Sequence, residues 1–222
     1  MFLSCRCFLI AVGFSCSLFI SVLMASFVFG ASQAAAQELE AVQLYSQDEL
    51  IRLINTNKHL EQVKLDRCQL VQDIEARAEI MRVPAYQFLW GDMLAWGVCV
   101  DANPIQGIHY MRESAAQGLP AALEQLGRYY VTGTLLQKDK KQALIFLREA
   151  SALGNLKAQL QLAELFINGM GSPYDFEDLY HWLYNAITSD TRVHQQITLY
   201  LSELERLMHP KAVRKARRPL VE

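Results

Sequence analysis

A spacing of 36 residues governs this sequence. At that offset Gly97, Gly133 and Gly169 fall into register, Gly118 aligns with Gly154, and Gly91 aligns with Gly127 and Ala163. Apolar columns keep the same step: Trp90, Leu126 and Leu162; Met93, Tyr129 and Leu165; Leu94, Tyr130 and Phe166. Later in each unit Tyr110, Phe146 and Trp182 coincide, followed by Met111, Leu147 and Leu183, then Ser114, Ala150 and Ala186. A period of this length marks a stack of supersecondary units, because one such unit cannot bury its apolar face alone.

Each unit reads as two short helices. Leu123, Leu126, Gly127 and Tyr130 lie at i, i+3, i+4 and i+7, with Gly127 leaving room for close helix approach. Gly133 stands where a helix ends in a left-handed residue. Ala143, Phe146, Leu147 and Ala150 repeat the spacing, and Gly154 closes that helix. Gly169, Gly171 and Pro173 break the chain in the third unit. No segment alternates with a period of two, so no sheet is expected.

The fold class that follows is all-α: a right-handed α-solenoid of about three 36-residue helix-turn-helix repeats over residues 69–190, with capping helices at both ends. In the N-terminal segment, residues 37–68, Ser46 and Glu49 form a capping-box pattern ahead of Leu50, Ile51, Leu53 and Ile54. Leu70, Val71, Ile74, Ala78 and Met81 fall in the register of a second repeat helix without its partner. Asp190 replaces the glycine of the earlier units and can cap a helix over 191–208 carrying Val193, Ile197, Tyr200, Leu201 and Leu204. Residues 209–222 hold Lys211, Arg214, Lys215, Arg217 and Arg218 and show no apolar stripe, so they read as a mobile basic tail. Its functional alternative is a salt-sensitive site for an acidic partner or lipid headgroups.

The start of the chain has a different character. Arg6 is the only charge before Glu38, and the apolar run between them ends in Ala34, Ala35 and Ala36. A positive start, an apolar middle and a small-residue exit read as a signal peptide, residues 1–36, cut after Ala36. An uncleaved membrane anchor is the alternative, since the run is long enough to span a bilayer. Cys5, Cys7 and Cys16 leave with the leader, and Cys68 and Cys99 remain. Two thiols in an exported chain point to one disulfide; two separately buried thiols are the alternative. In the chain-entropy picture such a loop contributes about 3–4 kcal/mol.

Composition and motifs then bound the function. With 21 basic and 23 acidic groups the formal charge is -2, which gives no bulk attraction to nucleic acid or an anionic membrane. A hydrophobic share of 52% excludes a disordered chain. There is no C-x-x-C, H-E-x-x-H, G-x-x-x-x-G-K-[ST], G-x-S-x-G or S-x-x-K. The expectation is therefore a protein that is not an enzyme and holds no metal or cofactor. His59, His109, His181, His194 and His209 are scattered; His109 and His181 share a column with Ile145 and read as partly buried. Two aromatics break the repeat pattern. Trp96 stands where Thr132 and Asn168 follow in later units, and Tyr184 stands where Arg112 and Arg148 precede it. Apolar surplus at solvent-facing positions marks both as partner-interface candidates. Packing against a neighbouring cap is the competing explanation for each.

Ala121, Ala122, Leu126, Gly127, Tyr130, Gly133, Ala143, Ala150 and Gly154 together resemble the Sel-one-like class of the tetratricopeptide superfamily. Outside the repeats, Tyr45-Ser46, Asp48-Glu49-Leu50-Ile51, the run from Asn57 to Val63, Cys68-Gln69-Leu70-Val71 and the run from Val83 to Leu94 resemble the MotX family of sodium-type polar flagellar motors. That resemblance implies a periplasmic scaffold at the flagellar basal body. Its implied partners are a MotY-like ring protein and a stator B-type subunit, with no nucleic acid and with membrane contact only indirect or through an uncleaved leader. An exported helical-repeat adaptor for another envelope assembly, or a host-binding factor, is the alternative function. A channel component, which would need polar groups within spanning segments, and a hydrolase are remoter ones.

Overall fold

The computed structural model describes residues 43–219, so the expected signal peptide lies outside the described residues. Three helical hairpins form its centre: α4 (Pro84–Trp96) with α5 (Pro104–Ala116), α6 (Pro120–Thr132) with α7 (Lys140–Ala152), and α8 (Leu156–Ile167) with α9 (Phe176–Tyr184). They are preceded by α1 (Gln47–Asn55), α2 (His59–Leu65) and α3 (Val71–Glu79), and followed by α10 (Thr191–Leu207) and α11 (Pro210–Ala216). A single 3₁₀ turn, Pro173–Asp175, leads into α9. Among the described residues there is no strand.

Local chemistry sets the helix ends. Proline opens α4, α5 and α6, where its missing N–H and fixed φ suit a first helical turn. The Asn103 side chain accepts from the Gln106 N–H, Asp139 from Lys141 and Gln142, and Asn155 from Ala158. Each satisfies a donor that the first turn would leave orphaned. α4 and α6 end on Gly97 and Gly133, both left-handed at φ +64° and +81°. In the third hairpin Asn168 caps α8 and the left-handed glycine, Gly169, comes one residue later.

Packing is closest between α4 and α5. A Cβ on Gly107 would sit 2.6 Å from the Gly91 carbonyl oxygen and 2.8 Å from the Ala95 nitrogen, so the two backbones touch directly. In the second hairpin the bulk of Leu147 takes the space that Gly127 leaves open. The core runs continuously through the stack: Tyr86, Leu89 and Met93, then Met111, Leu123, Leu126 and Tyr129, then Leu147, Phe166 and Tyr180, all buried. Full burial of one such large side chain contributes about 1.5–3 kcal/mol. Ser114 and Ser151 are buried too, and each donates its hydroxyl to a backbone carbonyl, of Pro84 at 2.7 Å and of Leu147 at 2.6 Å.

At the N-terminal side Ile74 and Ala78 of α3 pack toward α4. α1 follows a less expected course. Ser46 caps it, Leu50 and Ile54 are buried, and it packs on α4. Its C-terminal end then reaches beyond the first hairpin. Ile51, Ile54 and Asn55 face Leu119 and Pro120, the entry to α6, across a cleft of about 210 Å³. The turn after α1 extends to α8, where Lys157 Nζ donates to Asn57 Oδ1 at 3.2 Å. The chain returns through α2 to Cys68, whose disulfide with Cys99 (Cα–Cα 5.6 Å) fastens this segment to the loop after α4.

The C-terminal side corrects one expectation. Residues 210–216 of the supposed mobile tail form α11, with Val213 and Ala216 buried and His209 capping its first turn. Two apolar residues three apart seat a two-turn helix, although they are too few to register as a stripe. α10 packs on α8 and α9, and α11 packs on α9, so these two helices cover the open end of the third hairpin. No helix among the described residues is long and apolar enough to cross a membrane.

Candidate functional site

The first helices of the three hairpins present equivalent faces to one groove. Gln125 and Gln161 are 36 residues apart, as are Asp92 and Arg128, so the repeat itself aligns their side chains along one wall. The opposite wall is the turn between α1 and α2, with Asn57, His59 and Leu60. Together they enclose a cavity of about 550 Å³. Trp96 lies on it, in the last turn of α4, half exposed at 49%.

Beneath this groove lies a buried polar pair. His59 Nε2 and Asp92 Oδ2 are 2.7 Å apart, and both residues are more than nine-tenths buried. The His59 ring meets the edge of Phe88 at 5.4 Å between centroids, which fixes its plane. Asp92 thus joins α2 to α4 from inside the core, and a carboxylate survives there because the imidazole meets it. Next along the wall Arg128 Nε donates to Glu124 at 3.2 Å, and its guanidinium lies 5.4 Å from the Tyr129 ring centroid. Gln161 donates to the same Glu124, and Gln125 donates to the Tyr129 hydroxyl at 2.5 Å. Burial, helped by the nearby Asp92 charge, pushes the Tyr129 phenol up to about 12. Arg128, Glu124, Gln161, Gln125 and Tyr129 bond to one another and form a polar floor, while His59 Nδ1 and Asp92 Oδ1 stay buried without a partner among the described residues; the Trp96 indole is the large apolar surface beside them.

The other aromatic candidate lies elsewhere. Tyr184, on α9, is 47% exposed; it stacks on Tyr180 at 6.1 Å and carries the Arg217 guanidinium 5.9 Å over its ring. Its contacts are thus with its own helix and with the residue that ends α11, and it does not line the groove. Arg217 also donates to Tyr180 at 3.0 Å and to Glu205. The hydrogen bond from Tyr180, with the Arg217 charge, holds the Glu205 carboxyl below its ordinary range, while burial raises the Tyr180 phenol. Lys215 pairs with Glu177 at 2.6 Å. Lys211, Arg214 and Arg218 are exposed.

The two aligned histidines part company. His181 is half-buried and meets the Ala216 carbonyl at 2.9 Å through Nδ1, whereas His109 is exposed, as is Ile145 in the same column. His59 and Asp92 were not singled out from sequence. The available signal was one acidic residue inside the apolar run from Tyr86 to Trp96, where a buried charge demands a partner from outside the helix. No group of three or more metal-ligating side chains occurs among the described residues.

Comparison with known proteins supplies the wider setting. The Sel1 repeat family model matches residues 84–119, 120–155 and 156–188, the three central hairpins with their connections. The chain is 52% identical, over 187 residues, to the sodium-type polar flagellar protein MotX of Vibrio parahaemolyticus, an alignment covering 84% of this chain and 89% of that one. Among solved structures it is similar to a Sel1 repeat protein from Oxalobacter formigenes (20% identity, TM-score 0.44, 66% of this chain and 96% of that one). A second similar structure is a protective antigen of uropathogenic Escherichia coli displaying an SLR fold (17% identity, TM-score 0.41, 78% of this chain and 48% of that one).

Proposed function

Since the chain belongs to the family of the sodium-type polar flagellar protein MotX and is built of Sel1 repeats, we propose that it is a periplasmic scaffold of the flagellar motor. In this reading it docks a MotY-like ring protein and helps to hold the stator through a B-type subunit. The observation that carries the reading is identity of 52% sustained over 89% of the relative, well beyond the repeats themselves. The Cys68–Cys99 disulfide supports an oxidising compartment such as the periplasm.

Such a role requires no chemical step. Its mechanism is the presentation of a pre-formed surface, and the groove beside Trp96 is the part best suited to it. A flat, half-exposed indole on a polar floor loses little conformational freedom when a partner covers it, and truncating a buried interface tryptophan typically costs about 2 kcal/mol or more. Complementation of a deletion strain tests this. The wild-type gene restores swimming, whereas Trp96→Ala, with an unchanged melting temperature, recovers a MotY-like protein in pull-downs at least tenfold less efficiently and swims poorly. Normal swimming by the deletion strain, or capture of an unrelated envelope assembly instead, would overturn the proposal.

A further inference from the structure

We propose that α11 is a second docking surface, distinct from the groove, whose occupant is an acidic helical segment of a protein partner. The inner side of this helix is fully engaged. Val213 and Ala216 are buried, the Ala216 carbonyl receives His181, and the Arg218 carbonyl accepts from Asn185 Nδ2 at 3.2 Å. Of the five cations on this helix and just beyond it, Arg217 is held by Glu205 and Tyr180, and Lys215 by Glu177. Lys211, Arg214 and Arg218 remain, and none of them has a carboxylate partner among the described residues.

These three fall at i, i+3 and i+7, the last on the turn that closes the helix, where Arg218 N–H donates to the Lys215 carbonyl at 3.4 Å. Helical geometry puts Lys211 and Arg214 on one side of α11, one turn apart, and Arg218 follows just past its C-terminal end. Docking through Val213 and Ala216 therefore does more than order the tail; it leaves the three free cations exposed along and just beyond one short helix. These free cations stand out in a chain whose overall formal charge is -2. Carboxylates spaced at i, i+3 or i+4, and i+7 on a facing helix would match them in spacing and sign, and two of the three cations are arginines, whose planar forks bind carboxylates bidentately. A bilayer fits less well. Polybasic segments that hold anionic lipid carry about four to eight cations, and α11 places no aromatic side chain beside its three.

The test uses the exported chain with its disulfide intact. The probe is a labelled, helix-stabilised synthetic peptide with glutamates at those spacings, beside its glutamine counterpart and vesicles of phosphatidylcholine and phosphatidylglycerol at 3:1. The glutamate peptide binds and the glutamine one does not, and affinity falls at least tenfold between 50 and 300 mM NaCl. Combined Lys211→Gln, Arg214→Gln and Arg218→Gln lowers the affinity at least tenfold at an unchanged melting temperature. Trp96→Ala leaves peptide binding intact, which separates this surface from the groove. Equal binding of both peptides, no loss in the triple variant, binding to vesicles alone, or self-association that the triple variant abolishes would each overturn the assignment.

Discussion

At the residue scale, crowding and burial give the sharpest expectations. Gly107 meets the backbone of α4 with no space for a methyl group, so Gly107→Ala must push two helices apart. A loss of about 1–3 kcal/mol is expected, as for other overpacked sites, measured by urea denaturation. Tyr129 makes a second prediction, in the alkaline range. Between its ordinary value of 10.0 and about 12 the unfolded chain releases the phenolic proton while the native one retains it. The protein therefore loses stability as pH rises through that window, and Tyr129→Phe removes this part of the slope in denaturation midpoints taken at pH 9, 10 and 11. Legibility at this scale was uneven. Gly127 and the apolar columns follow from the repeat register, whereas Gly107 has no counterpart one unit later, where Ala143 stands, and its close approach to Gly91 and Ala95 explains it. The His59–Asp92 pair was hidden for a similar reason: its partners are 33 residues apart and belong to no common column.

Whole elements depend on a few fastenings. The bridge from Cys68 to Cys99 closes a separation of 31 residues and ties the turn after α2 to the loop after α4. Replacing both cysteines with serine should cost about 3–4 kcal/mol, read as a lower melting temperature and poor accumulation. An unchanged melting temperature would show that α3 packing alone fixes the N-terminal segment. The helices of the central hairpins were open to sequence reasoning because glycine, proline and Asx caps mark their ends. α11 was not, since its seat depends on α9 rather than on its own periodicity: His181 and Asn185 of that neighbourhood bond to the Ala216 and Arg218 carbonyls, beside the buried Ala216. α2 was missed likewise, being a short helix held by Val63 and His59 against α4.

For the molecule as a whole, the decisive matter is the course of its N-terminal segment. Ordinary solenoids touch only their nearest neighbours, so damage to one unit stays local. Here Asn57 touches Lys157, and Asn55 lies beside Gly154 and Asn155, which joins the first described helix to the third hairpin. Leu50→Ala, at a fully buried site of α1, is expected to cost about 2–5 kcal/mol. Hydrogen exchange should then rise over residues 156–160 as well as 47–55; a rise confined to α1 would show that the crossing carries no coupling. The register of the repeats foretold the stack, but nothing in a periodic pattern could foretell a non-periodic strand of chain laid across it. That crossing has a mechanical consequence. A bare row of hairpins pulled at its ends stretches like a spring, each joint yielding a little. Here the Lys157–Asn57 hydrogen bond spans from the turn after α1 to the third joint, so the first two joints should stay closed until that contact parts and only then begin to yield.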